Sequence, residues 1–445
     1  MADRSGSWRG VGAVWLELGG HVRKGLGRLT ARPVACLVTV GILLRLAGYL
    51  GDRSFWLDEI SLRGNVVRRT LGDLLAPMEG TQLVPVGFLA WEVVAALLFG
   101  TGGLSLRLLP LLGGIGALIG FVPLSKRILT ESAASRLVAL AIFAVAGDLV
   151  YHSSELKPYS TDVAAAVACA LAVPPTLSGR LSRRRVLGLT ALGMVVVWFS
   201  FPSALVLGGL GLTAIGSAWR RGDRHGARVI ATVCLAWLAS FLLAYMMARR
   251  LLGVEGASSM RAFWNFAFPP WPPATLAEVV WPLRRIAYLF ANPLDYHSRL
   301  APGLTPWLAF PAAAIAGLGF VRMARRSPWT TASLVSPLAL NLAAAHARLY
   351  PFHGRLSLFL APALILLIGE GAGAILSASP RRWTRALVLG LLLAPPLGRY
   401  AYRFVQEGWD LSHNHVGDLR SFQLDAEWFP LRNPGRAVIS SPPRP

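Results

Sequence analysis

Long apolar segments alternate with short polar segments along most of this chain. Eleven of the apolar segments approach membrane-spanning length, and arginine, glycine or proline flanks them. The pattern therefore predicts an all-α, polytopic integral membrane protein with about 11 transmembrane helices. The predicted spans are residues 33–51, 104–124, 137–150, 159–175, 186–200, 203–218, 229–248, 304–323, 329–346, 356–377 and 384–400.

One further apolar segment, residues 83–99, decides the topology. It has only 17 residues, carries a proline near its start and contains Glu92. If it does not cross, six polar regions share the side of the N-terminus and hold 23 Lys and Arg residues against four acidic residues. The positive-inside rule places such a basic side in the cytoplasm. We therefore predict that residues 83–99 stay at the outer face, with the N-terminus inside and the C-terminus outside.

The composition supports a membrane protein and explains the charge. Hydrophobic residues make up 54% of the 445 residues, charged residues only 15%, and the mean hydropathy is +0.52. A soluble domain carries about 25% charged residues. The net charge of +22 raises the question of nucleic acid. Because the excess lies on one predicted face, it reflects topology, and we expect no nucleic-acid partner.

This topology divides the chain into three parts. A basic cytoplasmic segment precedes a membrane-embedded catalytic region, and a tail follows it on the outer side. Chemistry is expected where the outer loops meet the membrane. The predicted boundaries are 1–32, 33–400 and 401–445, with outer loops at 52–103 and 249–303.

The first candidate group lies just beyond the first span. Asp58 and Glu59 follow Phe55 and Trp56, so two carboxylates stand behind an aromatic anchor at the water–lipid boundary. Burial beside hydrocarbon raises a carboxylate's basicity, which suits a general base. The alternative is a pair of solvated acids behind a tryptophan belt. Arg45, inside the same span, is a functional candidate that can also snorkel to the headgroups.

The second group lies in the outer loop at residues 151–162. Glu155, Lys157 and Tyr159 alternate along an extended stretch on the same predicted face as Asp58. Two acidic motifs on one side can hold a divalent cation, with Asp58 and Glu155 as ligands, or can divide base and orienting roles. The alternative for this loop is a local Glu155–Lys157 ion pair, which contributes little.

The third group supplies cations at the outer ends of helices. His353 and Arg355 lie in the turn ARLYPFHGRLSLFLAP, and Arg107 lies in LSLRLLP. Guanidinium groups at a membrane interface fit phosphate in a bidentate manner. For each residue alone, contact with lipid headgroups is an equal alternative. Their convergence with two acidic loops favours a site.

At these motifs the chain resembles GT-C glycosyltransferases of the protein O-mannosyltransferase and lipid A aminoarabinose-transferase type. The resemblance covers about residues 30–175, and the rest matches as a pattern of spans. It implies that segment 83–99 forms juxtamembrane helices in the first outer loop. The motifs that carry it are Arg45, the Asp-Glu pair 58–59, QLVPVGF, the Arg-Leu-Leu-Pro of 107–110, the Glu-Leu-Lys-Pro-Tyr of 155–159 and YPFHGRLSLFLAP.

The resemblance implies transfer of a hexosyl or pentosyl group from a polyprenyl-phosphate-sugar donor to a glycan, lipid or protein acceptor. The reaction would take place at the outer face of the plasma (inner) membrane, by an inverting single displacement. Asp58 matches the catalytic acidic position, with Glu59 beside it, and Glu155 matches the second acidic motif. On chemical grounds the donor phosphate is assigned to Arg45, Arg107, Lys157, Tyr159, His353 and Arg355.

The competing interpretation is a membrane transporter or a flippase for lipid or polysaccharide, without transferase chemistry. Such carriers commonly contain repeated halves and ionisable residues at the middle of the membrane. The sequence shows no repeat and few such residues. The absence of a nucleotide-binding fingerprint also fits a lipid-linked donor better than a nucleotide sugar.

Overall fold

The computed structural model describes residues 32–79, 82–173, 181–297, 302–379 and 381–409. Within these ranges the secondary structure is helical, without strands. Nearly all of the predicted segment 1–32 and most of the tail 401–445 lie outside them. The helices are α1 Pro33–Leu50, α2 Leu57–Val67, α3 Val86–Phe99, α4 Gly103–Leu106, α5 Leu108–Ile128, α6 Ala133–Val145, α7 Gly147–Tyr151, α8 Tyr159–Ala172, α9 Arg183–Val196, α10 Ser203–Arg220, α11 Arg224–Phe263, α12 Leu276–Val279, α13 Trp281–Ala291, α14 Thr305–Arg326, α15 Pro328–His346, α16 Ala361–Ala378 and α17 Arg382–Trp409.

Each of the eleven predicted spans overlaps at least one helix, but the count of eleven spans is not confirmed. Five helices among the described residues are long and apolar enough to cross a membrane, or six if the bent pair α6–α7 is one span. The others are shorter, as α8 and α9 with 14 residues each, or more polar. The apolar helices agree with an integral membrane protein.

Helix α3 is the segment that decided the predicted topology. Its 14 residues extend about 21 Å, which is less than the ~30 Å hydrocarbon core. Phe88, Leu89 and Val93 are completely buried, so the helix packs against protein. The amide of Gly87 donates to the carbonyl of Trp198 at 2.8 Å, which ties α3 to the α9–α10 connection. That α3 remains at the outer face stays a prediction.

An interruption of the helix at Ala146 sets the direction in which the second acidic loop leaves the bundle. Helices α6 and α7 meet there at a bend of 53°. The chain then passes through a 3-10 turn, His152–Ser154, and enters α8 at Tyr159. The Ser160 hydroxyl donates to the Pro110 carbonyl of α5 at 2.6 Å, so the start of α8 is held against the bundle.

Helix α11 is much longer than the predicted span 229–248. It has 40 residues and extends about 60 Å, twice the thickness of the hydrocarbon core. The first part of the predicted outer loop 249–303 therefore continues this helix as far as Phe263. The Met78 amide donates to the Leu251 carbonyl at 2.7 Å, which joins the first outer loop to this extension.

Close contact between helices depends on small residues, as is usual in membrane bundles. Helices α14 and α16 cross at Gly319 and Gly371, where a Cβ added at Gly371 would lie 1.9 Å from the Ile315 carbonyl oxygen. The main core extends across α5–α11 and α13–α17. A second apolar cluster, which includes Leu62, lies between α2, α3 and the second half of α11. It fixes α2, which carries the first acidic pair.

Candidate active site

A cavity of about 500 Å³ opens where the predicted outer loops meet the bundle. Ligand pockets have volumes of about 300–1,000 Å³, so it has a suitable size. Part of its lining is polar and includes Asp58, Lys157 and Arg355. Another part is apolar and comes from α10 and α11, with Leu205 and Phe241 among its residues. The cavity thus combines a charged region with the surface of two membrane helices.

Asp58 is the acidic residue of the first loop that reaches this cavity. It is the second residue of α2, and its side chain is 32% exposed. Its Oδ2 atom accepts a hydrogen bond from Nη2 of Arg355 at 2.7 Å and lies 4.0 Å from Nζ of Lys157. One carboxylate and two cations, from three separate segments, therefore meet in one place.

Arg355 reaches the cavity from a 3-10 turn, Gly354–Leu360. Gly354 has a φ of 38°, and a Cβ added there would lie 3.1 Å from Oδ1 of Asn292. Glycine suits this position because it tolerates positive φ without a steric penalty. The Arg355 guanidinium also lies 5.6 Å from the ring centroid of Tyr159, within cation–π range.

Lys157 and Tyr159 reach the same cavity from the second loop, with Pro158 between them. Nζ of Lys157 is hydrogen-bonded to Oε1 of Gln82. Burial lowers the pKa of Lys157, and the nearby Asp58 opposes this shift. The charged form of a buried lysine is destabilised by the loss of water, so binding of an anionic ligand nearby stabilises it. Four of the predicted site residues therefore line one cavity: Asp58, Lys157, Tyr159 and Arg355.

Glu59 lies behind the cavity, completely buried. Its carboxylate accepts from Nε and Nη2 of Arg107 at 3.0 and 3.1 Å. It also accepts from the amides of Leu156 at 2.7 Å and Trp56 at 2.9 Å. These bonds connect the start of α2, the start of α5 and the second loop. Glu59 is thus placed to position Asp58 and Lys157, and it does not line the cavity.

Arg107 is equally buried and has no access to the cavity. Besides Glu59, its guanidinium donates to the Arg53 carbonyl at 2.7 Å and stacks over Phe55 at 4.7 Å from the ring centroid. The same atoms therefore cannot bind a donor phosphate in this arrangement. The structure places Arg107 as an anchor of the first loop.

Glu155 belongs to the second loop. Its side chain is buried and is hydrogen-bonded to Nδ1 of His152. Burial raises the pKa of the Glu155 carboxyl, but His152, Arg355 and Arg53 lower it by more, so the net pKa lies below its usual value. The group is an anion at neutral pH. It balances the surrounding cations without lining the cavity.

Arg45 lies within the bundle, 1% exposed, and is not among the residues that line the cavity. Its guanidinium donates to the carbonyls of Phe143 and Ala144 at 3.3 and 3.2 Å and to that of Gly41 at 2.9 Å. The break at Ala146 leaves these last carbonyls of α6 without helical partners. A cation at a helix C-terminus satisfies them, which explains an arginine at membrane depth.

His353 supports Arg355 and does not line the cavity. Its ring stacks on Tyr288, with centroids 5.4 Å apart, and Nδ1 lies 3.4 Å from Nη1 of Arg285. Burial, followed by the charges of Arg285 and Arg355, lowers the pKa of His353 to about 3. The ring is therefore neutral at pH 7, so it is not the cation that the sequence predicted.

The predicted metal ligands, Asp58 and Glu155, are not arranged as a metal site. Asp58 lines the cavity but already contacts two cations, and the Glu155 carboxylate is turned to His152. In the part of the chain that the structure describes, no group of three or more His, Cys, Asp and Glu side chains could hold a metal ion. The donor set in place suits an anion better than a cation.

Several cavity residues were not predicted from the sequence. Asp162 was part of the second motif, and its position three residues after Tyr159 on one helix face was an available signal. Gln82 is the first residue of the motif QLVPVGF, but the sequence assigned it no role. The sequence predicts a loop after residue 248, so it does not place Arg249 and Arg261 on a helix beside the cavity. The polar and charged lining residues to which the sequence assigned no role are Gln82, Asp162, Tyr245, Arg249, Arg261 and Tyr350. Arg348, a cation of the third group, also lines the cavity, as the sequence predicted.

Comparisons with known proteins identify the fold. No protein-family profile and no curated protein match the sequence. The crystal structure of the Archaeoglobus fulgidus oligosaccharyltransferase with zinc and sulfate matches with a TM-score of 0.51 and 13% identity, over 84% of this chain and 53% of that chain. The apo form of that enzyme matches with a TM-score of 0.50 and 12% identity, over 88% and 59%.

The chain therefore shares the GT-C fold of that enzyme. Membership of the superfamily that the motifs suggested stays a prediction. It spans a little more than half of the length of the proteins that it matches. At this level of identity the likeness concerns the fold. The O-mannosyltransferase or aminoarabinose-transferase subtype stays a prediction.

Proposed function

We propose that the protein is a membrane glycosyltransferase that uses a polyprenyl-phosphate-sugar donor. The observation that carries the proposal is the meeting of Asp58, Lys157 and Arg355 at a cavity lined elsewhere by α10 and α11. Such a donor needs cations for its phosphate and an apolar surface for its isoprenoid chain. The GT-C fold, shared with an oligosaccharyltransferase, supports the same class of reaction.

In the proposed reaction Asp58 is the general base. It takes the proton of an acceptor hydroxyl, whose oxygen then forms a bond to the anomeric carbon of the sugar. The bond from that carbon to the phosphate oxygen breaks, and the configuration at the carbon inverts. Arg355 and Lys157 stabilise the negative charge that develops on the phosphate. Binding of the phosphate would draw Arg355 away from Asp58 and leave the carboxylate available to the acceptor.

The other predicted residues have positioning roles in this proposal. Glu59, with Arg107, holds the start of α2, and Glu155 balances the charge of the cations behind the cavity. The sugar is a hexose or pentose, and the acceptor is a glycan, lipid or protein of the cell envelope. Membrane lipids surround the bundle at its exposed apolar faces.

We place the site at the outer face of the plasma (inner) membrane, with the N-terminus in the cytoplasm. The sorting of basic residues supports this orientation. The test introduces single cysteines at Glu131 and at Leu276, which are both exposed, into a chain without Cys36, Cys169 and Cys234. An impermeant reagent added to intact cells should label position 276 alone. Labelling of position 131 alone would show that the orientation in the membrane is the reverse of the predicted one.

Donor turnover by the purified protein tests the activity itself. The protein in detergent micelles is given decaprenyl phosphate linked to glucose, mannose or arabinose, together with an extract of envelope lipids and glycans. We expect release of free decaprenyl phosphate, measured by mass spectrometry, and its loss in the Asp58→Asn variant. If the protein instead moves an intact donor across vesicles and never releases decaprenyl phosphate, it is a flippase.

A further inference from the structure

We infer that Asp162 forms the sugar-binding subsite of the cavity, where its carboxyl group accepts hydrogen bonds from hydroxyl groups of the donor sugar. The inference rests on the proposed function, because it assigns the sugar of the proposed donor to one residue. Asp162 lines the cavity and is 6% exposed, and its Oδ1 atom has no hydrogen-bond partner. It has no part in the reaction steps proposed above.

The backbone fixes where this carboxyl group lies. Asp162 is in the first turn of α8, three residues after Tyr159 and so on the same helix face. The Asp162 amide donates to the Pro158 carbonyl at 2.8 Å, and the Thr161 hydroxyl donates to the same carbonyl at 2.5 Å. The segment that carries Lys157 into the phosphate region thus also presents Asp162 to the cavity.

The neighbours of Asp162 leave it available to a ligand. The Ser200 side chain is hydrogen-bonded to the Asp162 carboxyl group, whose Oδ1 atom stays without a partner. Tyr350 lies close enough for the Asp162 charge to add to the effect of burial in raising the pKa of Tyr350. The Tyr350 hydroxyl, however, donates to the Leu356 carbonyl at 3.0 Å. Within the described ranges no Lys, Arg or His lies within 4.0 Å of the Asp162 carboxylate, whereas Asp58 has two such neighbours.

A purely structural role does not account for this arrangement. A carboxylate in the first turn of a helix gains a modest interaction with the helix dipole. A buried carboxyl oxygen without a partner costs more than that gain. The cost is recovered when a ligand donates to the oxygen, and sugar hydroxyls are such donors. A site built in this way rejects sugars that lack the matching hydroxyl.

The chain contains a matched control for this inference. Glu92 of α3 is completely buried, and both of its carboxylate oxygens lack hydrogen-bond partners. It does not line the cavity. Asp162→Ala and Glu92→Ala each remove one buried carboxyl group that has at least one oxygen without a hydrogen-bond partner, but only the first removes it from the cavity wall.

The experiment measures affinity for two probes, bare decaprenyl phosphate and decaprenyl phosphate carrying the sugar that the wild-type protein binds most tightly. For Asp162→Ala we expect affinity for the sugar-bearing lipid to fall by about tenfold or more, with that for the bare lipid unchanged. Glu92→Ala should leave both affinities as they are. In a deoxy-sugar series, one missing hydroxyl should weaken wild-type binding and leave Asp162→Ala unaffected, because the shared hydrogen bond is already lost.

Other outcomes overturn the inference in distinguishable ways. Equal weakening for both lipids by Asp162→Ala would show a structural role, and unchanged affinity for both would show that Asp162 does not contact the sugar. Lower turnover with unaltered affinity for both lipids would make Asp162 a catalytic group instead. If the wild-type protein binds neither lipid, the proposed donor class is wrong, and this inference fails with it.

Discussion

Asp58 and Glu59 are consecutive carboxylates with opposite surroundings. Asp58 is partly exposed at the cavity and contacts two cations that can exchange partners with a ligand. Glu59 is completely buried, and both of its oxygens accept hydrogen bonds from the protein. Because consecutive residues of a helix point about 100° apart, one faces the cavity and the other faces the interior. In the proposed function, Asp58 therefore has the reactive role and Glu59 the positioning role.

The same division recurs in the other two loops. Lys157 reaches the cavity while Glu155, two residues earlier, is turned to His152. Arg355 reaches it while His353, two residues earlier, packs on Tyr288. We call Asp58, Lys157 and Arg355 the cavity set, and Glu59, Glu155 and His353 the support set. Changes in the cavity set should alter catalysis, and changes in the support set should alter stability.

The largest effect is expected at Asp58. Asp58→Asn keeps the shape of the side chain and removes its basicity, so turnover should fall about 10²–10⁴-fold. Donor affinity and the melting temperature should change little, since the carboxylate acts mainly on the acceptor. Steady-state kinetics and thermal unfolding measure both quantities. Near-normal turnover would remove Asp58 as the base.

Glu59→Gln should instead destabilise the fold. Removing the buried partner leaves Arg107 with only the half-exposed Asp52, whose Oδ1 lies 3.5 Å from Nη1. Breaking a buried ion pair costs about 3–5 kcal/mol, and Asp52 offsets part of that cost. The melting temperature should fall, while turnover per folded molecule falls less than in Asp58→Asn. In the double variant Glu59→Gln/Arg107→Met the losses should not add, because the two side chains interact directly. Normal stability with lost turnover would instead make Glu59 the reactive carboxylate.

Arg355→Lys probes the phosphate assignment. Lysine keeps the charge but loses the planar fork, so the donor KM should rise about tenfold, with the fold intact. Arg68→Lys is a suitable control because Arg68 forms an exposed ion pair with Glu79 away from the cavity. That variant should behave as the wild type. An unaltered donor KM in Arg355→Lys would exclude Arg355 as a phosphate ligand.

The smallest effect is expected at His353 and concerns pH. The folded protein lowers the pKa of His353 to about 3, against an ordinary value of 6.5. Between these values the unfolded chain binds the extra proton, so the contribution of this group is complete above pH 6.5 and declines as the pH falls. His353→Phe keeps the stack on Tyr288 and should flatten the pH dependence of the melting temperature in mildly acidic solution. Identical slopes in variant and wild type would contradict the assignment.

The motifs predicted which loops form the cavity, but not which side chains enter it. Hydropathy and charge sorting located α1, α5 and the three polar loops from local sequence alone. The role of Arg45 was not accessible in this way, because it depends on carbonyls freed by a break in α6. The isolation of Asp162 from cations arises only after packing, so no local pattern reveals it. The sequence predicts Arg107 as a phosphate ligand because its buried partner, Glu59, is 48 residues away and local sequence does not show the pair.

By itself the sequence determined a helical membrane protein, the position of its helices and the acidic and basic loops that converge. Segment length, hydropathy and local charge carry that information, and they do not depend on distant contacts. The tertiary structure decided which member of each neighbouring pair faces the cavity, and it extended α11 beyond the predicted span to form a wall of the site. Those outcomes follow from packing between segments far apart in the chain, which no local pattern records.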